Sequence, residues 1–325
     1  MPYTNFPNGL TSMGVPLPST GIPTTFGNYW FVDGTNGSDG NPGNSISAPL
    51  RTVEQAYSYA TTNNDDVICI RGTSASYTLT SMLTVSKNRV HFVGLDGAWR
   101  PYGQGVKIGL TATSGATNIA TMLNTGVRNS FTNIKFTNAS TVTEGIYCVA
   151  EGGEYAQYTN CEFYKSTDLD QTGAAEFLWN GDSTIMDNCT VGSLADAIAG
   201  SSIRRPCIQL TKNLASASAV CRDGLIRNTR LWRQCKDTTN VFIYATNASD
   251  VERTLTLEHV GFINNPAGAN DPAVCIALGA TLTTGSIVLD PSCYASNVTK
   301  IATATGVLVT GSAPNSGAGI ATNAA

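Results

Sequence analysis

Phe131-Thr-Asn-Ile-Lys-Phe136, Tyr158-Thr-Asn-Cys-Glu-Phe163, Met186-Asp-Asn-Cys-Thr-Val191, Ile226-Arg-Asn-Thr-Arg-Leu231 and Leu257-Glu-His-Val-Gly-Phe262 are five versions of one six-residue pattern. Aligned, their first column reads Phe131, Tyr158, Met186, Ile226, Leu257. The fourth reads Ile134, Cys161, Cys189, Thr229, Val260, and the sixth Phe136, Phe163, Val191, Leu231, Phe262. Between the last two runs a polar or small column, Lys135, Glu162, Thr190, Arg230, Gly261. This in–out–in alternation has the period of a β-strand. The third column, Asn133, Asn160, Asn188, Asn228 and His259, predicts a tight bend before each strand, because Asn tolerates the left-handed backbone region. Stacked amides of this kind can also bond from one coil to the next. Successive bends lie 27, 28, 40 and 31 residues apart, a spacing suited to solenoid coils with loops of variable length. The 3.6-residue periodicity of helical repeats is absent. The pattern predicts an all-β right-handed parallel β-helix whose core columns are Phe131, Ile134, Phe136, Cys161, Phe163, Cys189, Val191, Leu231, Val260 and Phe262.

Further strands fall between the repeats: Gly145-Ile-Tyr-Cys-Val149, Ala175-Glu-Phe-Leu-Trp179, Cys207-Ile-Gln-Leu210, Val241-Phe-Ile-Tyr244 and Ala273-Val-Cys-Ile-Ala-Leu278. Each coil therefore holds at least two strands. Arg89–Gly94 reads as an earlier coil and Ser286–Leu289 as a later one. About seven coils at ~4.8 Å spacing would stand roughly 35 Å tall. Open solenoid ends need covering. Val53, Ala56, Tyr57 and Ala60 have helical spacing between the strands Tyr29–Val32 and Val67–Ile70, which predicts a capping helix over the first coil. The division expected is an extended arm at 1–28, a cap region at 29–88, the β-helix proper at 89–300, and a C-terminal strand with a polar tail at 301–325.

Composition narrows the function classes. The chain has 325 residues, of which 42% are hydrophobic and only 13% charged, with a net charge of −4. Neutralising phosphates takes a clustered Lys/Arg surface, and only Arg204-Arg205, with Arg222, Arg227, Arg230 and Arg233 loosely following, comes near one. A nucleic-acid partner is not expected, and neither is a membrane, since no apolar run reaches the length of a span. No secretory signal is visible, so the chain is expected to be made in a cytosol and to leave it only within a larger particle. Nine cysteines without a CxxC pair read as reduced core thiols and not as a zinc site. The Asp33–Asn41 loop is rich in Asp and Gly but lacks the spaced ligands of a calcium hand, so it reads as a turn. No cofactor and no metal are expected.

The stretches Tyr29–Gly43, Ala48–Ala56 and Asp65–Gly72 resemble the opening of pectate-lyase-like parallel β-helix proteins. The start, Asn5-Phe-Pro-Asn-Gly-Leu-Thr-Ser-Met-Gly-Val-Pro16, is similar to the N-terminus of tailed-bacteriophage virion proteins with a β-helix body. These resemblances imply a capsid-associated structural protein, a decoration or head-protrusion subunit on the capsid surface. It would be a homotrimer, held to the major capsid protein either by arm residues Phe6, Leu10, Met13 and Phe26 or by the polar C-terminal tail. On this reading the chain is not an enzyme and has no catalytic residues. The alternative is a tailspike-like depolymerase, or a virion protein that binds a host-surface glycan. Its candidate acids are Asp168, Asp170, Glu176, Asp182 and Asp187, with Tyr164 and Trp179 as sugar platforms. Paired carboxylates cleave glycosidic bonds, whereas Asp in turns between coils is the plainer account. His91 and His259 are expected to be structural.

Overall fold

The computed structural model describes residues 11–12, 15–16, 25–95, 103–110, 119–139, 146–165, 174–198, 205–211, 220–235, 237–266, 270–302 and 307–309. Three parallel sheets run the length of the molecule, one of ten strands and two of eight. Each chain turn contributes one strand to each sheet, so the chain is a right-handed parallel β-helix with three strands per coil. The first sheet contains the repeat's leading strands, Ser130–Thr132, Gln157–Thr159, Ile185–Asp187, Cys221–Arg227 and Val251–Glu258. The second contains the strands after each bend, Lys135–Asn138, Glu162–Lys165, Thr190–Ile198, Arg230–Cys235 and Gly261–Asn264. The third contains Tyr147–Glu151, Phe177–Trp179, Ile208–Leu210, Ile243–Ala245 and Val274–Leu278.

The columns read from the sequence are physical stacks. Phe131 pairs in register with Tyr158, Tyr158 with Met186, Met186 with Ile226 and Ile226 with Leu257. Phe136, Phe163, Val191, Leu231 and Phe262 do the same in the second sheet. Ile134, Cys161, Cys189 and Val260 are fully buried in the same core cluster. The rings of Phe92, Phe131 and Tyr158 stack at 5.1 and 4.9 Å between centroids, the offset geometry that aromatic quadrupoles favour. All nine cysteines are free and buried.

Asn133, Asn160, Asn188, Asn228 and His259 all have φ between 51° and 58°, so every predicted bend is left-handed. A second left-handed column, Arg89, Arg128, Tyr155, Ser183, Asp223 and Arg253, bends the chain just before or within strands of the first sheet. It mixes three arginines with Tyr, Ser and Asp, so no single residue type marks it in the sequence. The helix Val53–Tyr59 buries Val53 and Ala56 and is capped by the Thr52 hydroxyl, which accepts from the Gln55 amide. The coils begin inside the expected cap region: Asp66–Arg71, Tyr77–Leu79 and Leu83–Val85 already supply one strand to each sheet. Thr11–Ser12 pairs antiparallel with Val15–Pro16 in the arm.

Candidate functional site

The acids singled out in the sequence do not converge. Asp168 and Asp170, like Arg204, Phe6, Leu10 and Met13, lie outside the described residues. Glu176 is buried and ion-paired with the equally buried Arg233, and Trp179 is fully buried in the core. Tyr164 lies in the second-sheet strand Glu162–Lys165, with the Lys135 ammonium 4.7 Å from its ring centre. Asp182 is paired with Arg222 at 2.7 Å, and the same guanidinium reaches Glu252 at 2.8 Å. Asp187 is paired with Arg227 at 2.8 Å. Carboxylates that each face a cation are poor partners for a two-acid hydrolysis, which needs one of them protonated.

The other early candidates are structural. Asp33 accepts from the Thr35 and Asn36 amides, the Asn36 side chain and Arg71. Burial alone would raise this carboxyl's pKa, but those bonds outweigh it and hold the group well below its usual range. The loop is thus closed around its own Asp. His91 bonds Ser130 Oγ through Nδ1 at 2.8 Å, and burial lowers its pKa despite the nearby Asp65.

One surface feature does gather chemistry. On the outer face of the second sheet, Thr190, Arg230, Gly261 and Tyr294 follow one another in register on four successive coils. Gly261 has no side chain, and a Cβ built there would meet the Tyr294 phenol at 2.5 Å. The missing side chain is what lets that ring fold in beside Arg230. Asn188, Asn228 and His259 form the adjoining wall, and these three with Arg230 and Tyr294 line an open groove of about 500 Å³. Arg230 makes no ion pair among the described residues, and its buried Nη1 has no hydrogen-bond partner. The buried Thr190 Oγ1, next in the column, is also unpartnered. Tyr294 is 43% exposed.

A guanidinium with unused donors is a fork shaped for a carboxylate. An aromatic ring beside it offers an apolar face with a polar tip, and primary amides supply both donors and acceptors. Together these groups can accept a hydroxylated ligand that carries a negative charge. Sequence reading put Arg230 among loosely spaced basic residues, and Asn188, Asn228 and His259 among bends only. The available signal was Gly261, where a column otherwise made of side chains loses one.

No family model matches the chain, and no curated protein matches it. Its fold is similar to that of a solved rhamnogalacturonan lyase, with a TM-score of 0.62 at 12% identity over 85% of this chain and 70% of that one. Pectate lyase Pel9A is also similar, with a TM-score of 0.49 at 12% identity over 89% of this chain and 80% of that one. A pectin methylesterase from carrot has a TM-score of 0.46 at 13% identity over 89% of this chain and 90% of that one. The fold is a pectate-lyase-like parallel β-helix. The expectation that the chain is not an enzyme is corrected by this finding, since the fold is one that a solved rhamnogalacturonan lyase shares. A chain without a free carboxylate pair can still carry a site built on other groups.

Proposed function

We propose that this chain is a polysaccharide-directed β-helix enzyme of the tailspike type, which seats an acidic glycan in the Arg230 groove. The observation that carries the reading is the guanidinium of Arg230, which makes no ion pair among the described residues and lines a groove between an aromatic ring and a wall of amides. With the acids already paired, elimination fits the groove better than hydrolysis. Arg230 would neutralise a uronate carboxylate and so acidify the adjacent C–H. His259 is placed to take that proton as a base. The electron pair of the C–H bond then forms a C=C bond as the C–O bond to the leaving sugar breaks, and the leaving oxygen takes a proton from Tyr294 or from water.

The test is to incubate the protein with polygalacturonate and with extracted bacterial capsule. New unsaturated, ultraviolet-absorbing chain ends are expected, lost in Arg230→Ala. Neither product nor binding with any acidic polymer would overturn the reading. A virion setting, with host-surface glycan as the substrate and a major capsid protein as the anchor, is supported by the resemblance of residues 5–16 and by Phe26, which is 96% exposed. Deleting residues 1–28 is expected to abolish particle association while the coils stay folded, and light scattering of the intact protein is expected to give a trimer.

A further inference from the structure

The asparagine column is not continuous, and the groove opens at its break. Asn133 donates to the Gly94 carbonyl, Asn160 donates to Asn133 Oδ1 at 3.2 Å, and Asn188 donates to Asn160 Oδ1. The next step fails. Asn228 Nδ2 donates to Asp187 Oδ1 at 3.0 Å and not to Asn188, so Asn188 Oδ1 accepts no bond among the described residues. Asn188 and Asn228 are two of the five residues lining the groove.

The sequence explains the diversion. The residue just before the ladder Asn is Thr132 and Thr159 in the first two repeats and Asp187 in the third. A carboxylate is a stronger acceptor than a neutral amide. Arg227 holds Asp187 through Oδ2 at 2.8 Å, which leaves Oδ1 for Asn228. Resting on the glycan reading of the groove, we infer that Asp187 is a positioning residue: by drawing Asn228 out of the ladder it leaves the Asn188 carbonyl to accept a sugar hydroxyl. The Asn188 acceptor and the Arg230 donors then recognise a hydroxyl and a carboxylate of the same acidic sugar, which distinguishes it from a polymer bearing only one of them.

The experiment uses Asp187→Thr, which restores the residue of the first two repeats, with Asp187→Asn as the conservative variant and Arg227→Ala as a control for the ion pair. Crystal structures and calorimetric titration with a polygalacturonate oligosaccharide are the readouts. In Asp187→Thr, Asn228 Nδ2 is expected to bond Asn188 Oδ1, and affinity is expected to fall about tenfold, the worth of one hydrogen bond. Asp187→Asn keeps a carbonyl acceptor but loses the charge that draws Asn228 from the ladder, so its affinity is expected to fall between those of Asp187→Thr and the wild type, whereas Arg227→Ala is expected to retain wild-type affinity. Unchanged affinity in Asp187→Thr, or loss equally in Arg227→Ala, would overturn the inference while leaving the groove in place if Arg230→Ala still abolishes binding. If the wild type itself does not bind the oligosaccharide, the groove reading fails and this inference fails with it.

Discussion

Glu151 ends the strand Tyr147–Glu151 with its carboxyl wholly inside the coil. Asn124 Nδ2, the Tyr158 hydroxyl and the Gly153 amide all donate to it. Burial pushes its pKa up to about 7, and the three donors hold it from rising further. Unfolded, the group would lose its proton near the ordinary 4.5. Below that pH both states are protonated and the shift has no effect on stability. As pH rises to about 7, unfolding releases a proton that the folded state keeps, so stability falls, and above it the loss is complete. Glu151→Gln is therefore expected to gain up to ~3 kcal/mol over wild type by neutral pH and nothing in acid; urea melts at several pH values measure this. Glu151 was not legible in the sequence, because an acid at the end of a strand reads as exposed. The left-handed bends were legible at the same scale because Asn133, Asn160, Asn188 and Asn228 share the one residue type that suits them.

At the scale of strands, register decides what the groove can be. Arg230, Gly261 and Tyr294 lie on three successive strands of the second sheet, and a small residue in the middle joins the outer two. Gly261→Ala tests that geometry. The new Cβ would meet the Tyr294 ring tip, which is free to swing because the ring is partly exposed. Stability is expected to change by less than ~1 kcal/mol, while binding of an acidic oligosaccharide weakens at least severalfold. Unaltered binding would mean that the tyrosine takes no part. The strands themselves were readable from alternation in the five repeats. Tyr294 was not, since Tyr294–Ser296 follows a coil without the repeat's pattern and its strand is only three residues long. The acids failed as a site for a related reason: spacing along the chain cannot say that Glu176 points inward to Arg233 while Asp182 and Asp187 face outward to Arg222 and Arg227.

Over the whole molecule, parallel stacking turns a weak repeat into one continuous core cluster from Val32 to Val307. The helix Val53–Tyr59 covers the first coil. The last described strands, Tyr294–Ser296, Lys300–Ala302 and Val307–Val309, stand at the opposite edges of the three sheets. Such a rod exposes long faces of fixed 4.8 Å spacing, well matched to an extended polymer, and the groove is one place where that regularity is broken. The account's central claim is that this break recognises a negatively charged sugar through Arg230. The direct measurement is the affinity of the wild type and of Arg230→Ala for a uronate oligosaccharide and for its carboxyl-reduced, neutral counterpart. The account predicts that the wild type prefers the acidic form by at least about tenfold and that the preference vanishes in Arg230→Ala, as expected for a charge-assisted bidentate contact. Equal affinity of the wild type for the two oligosaccharides would contradict it.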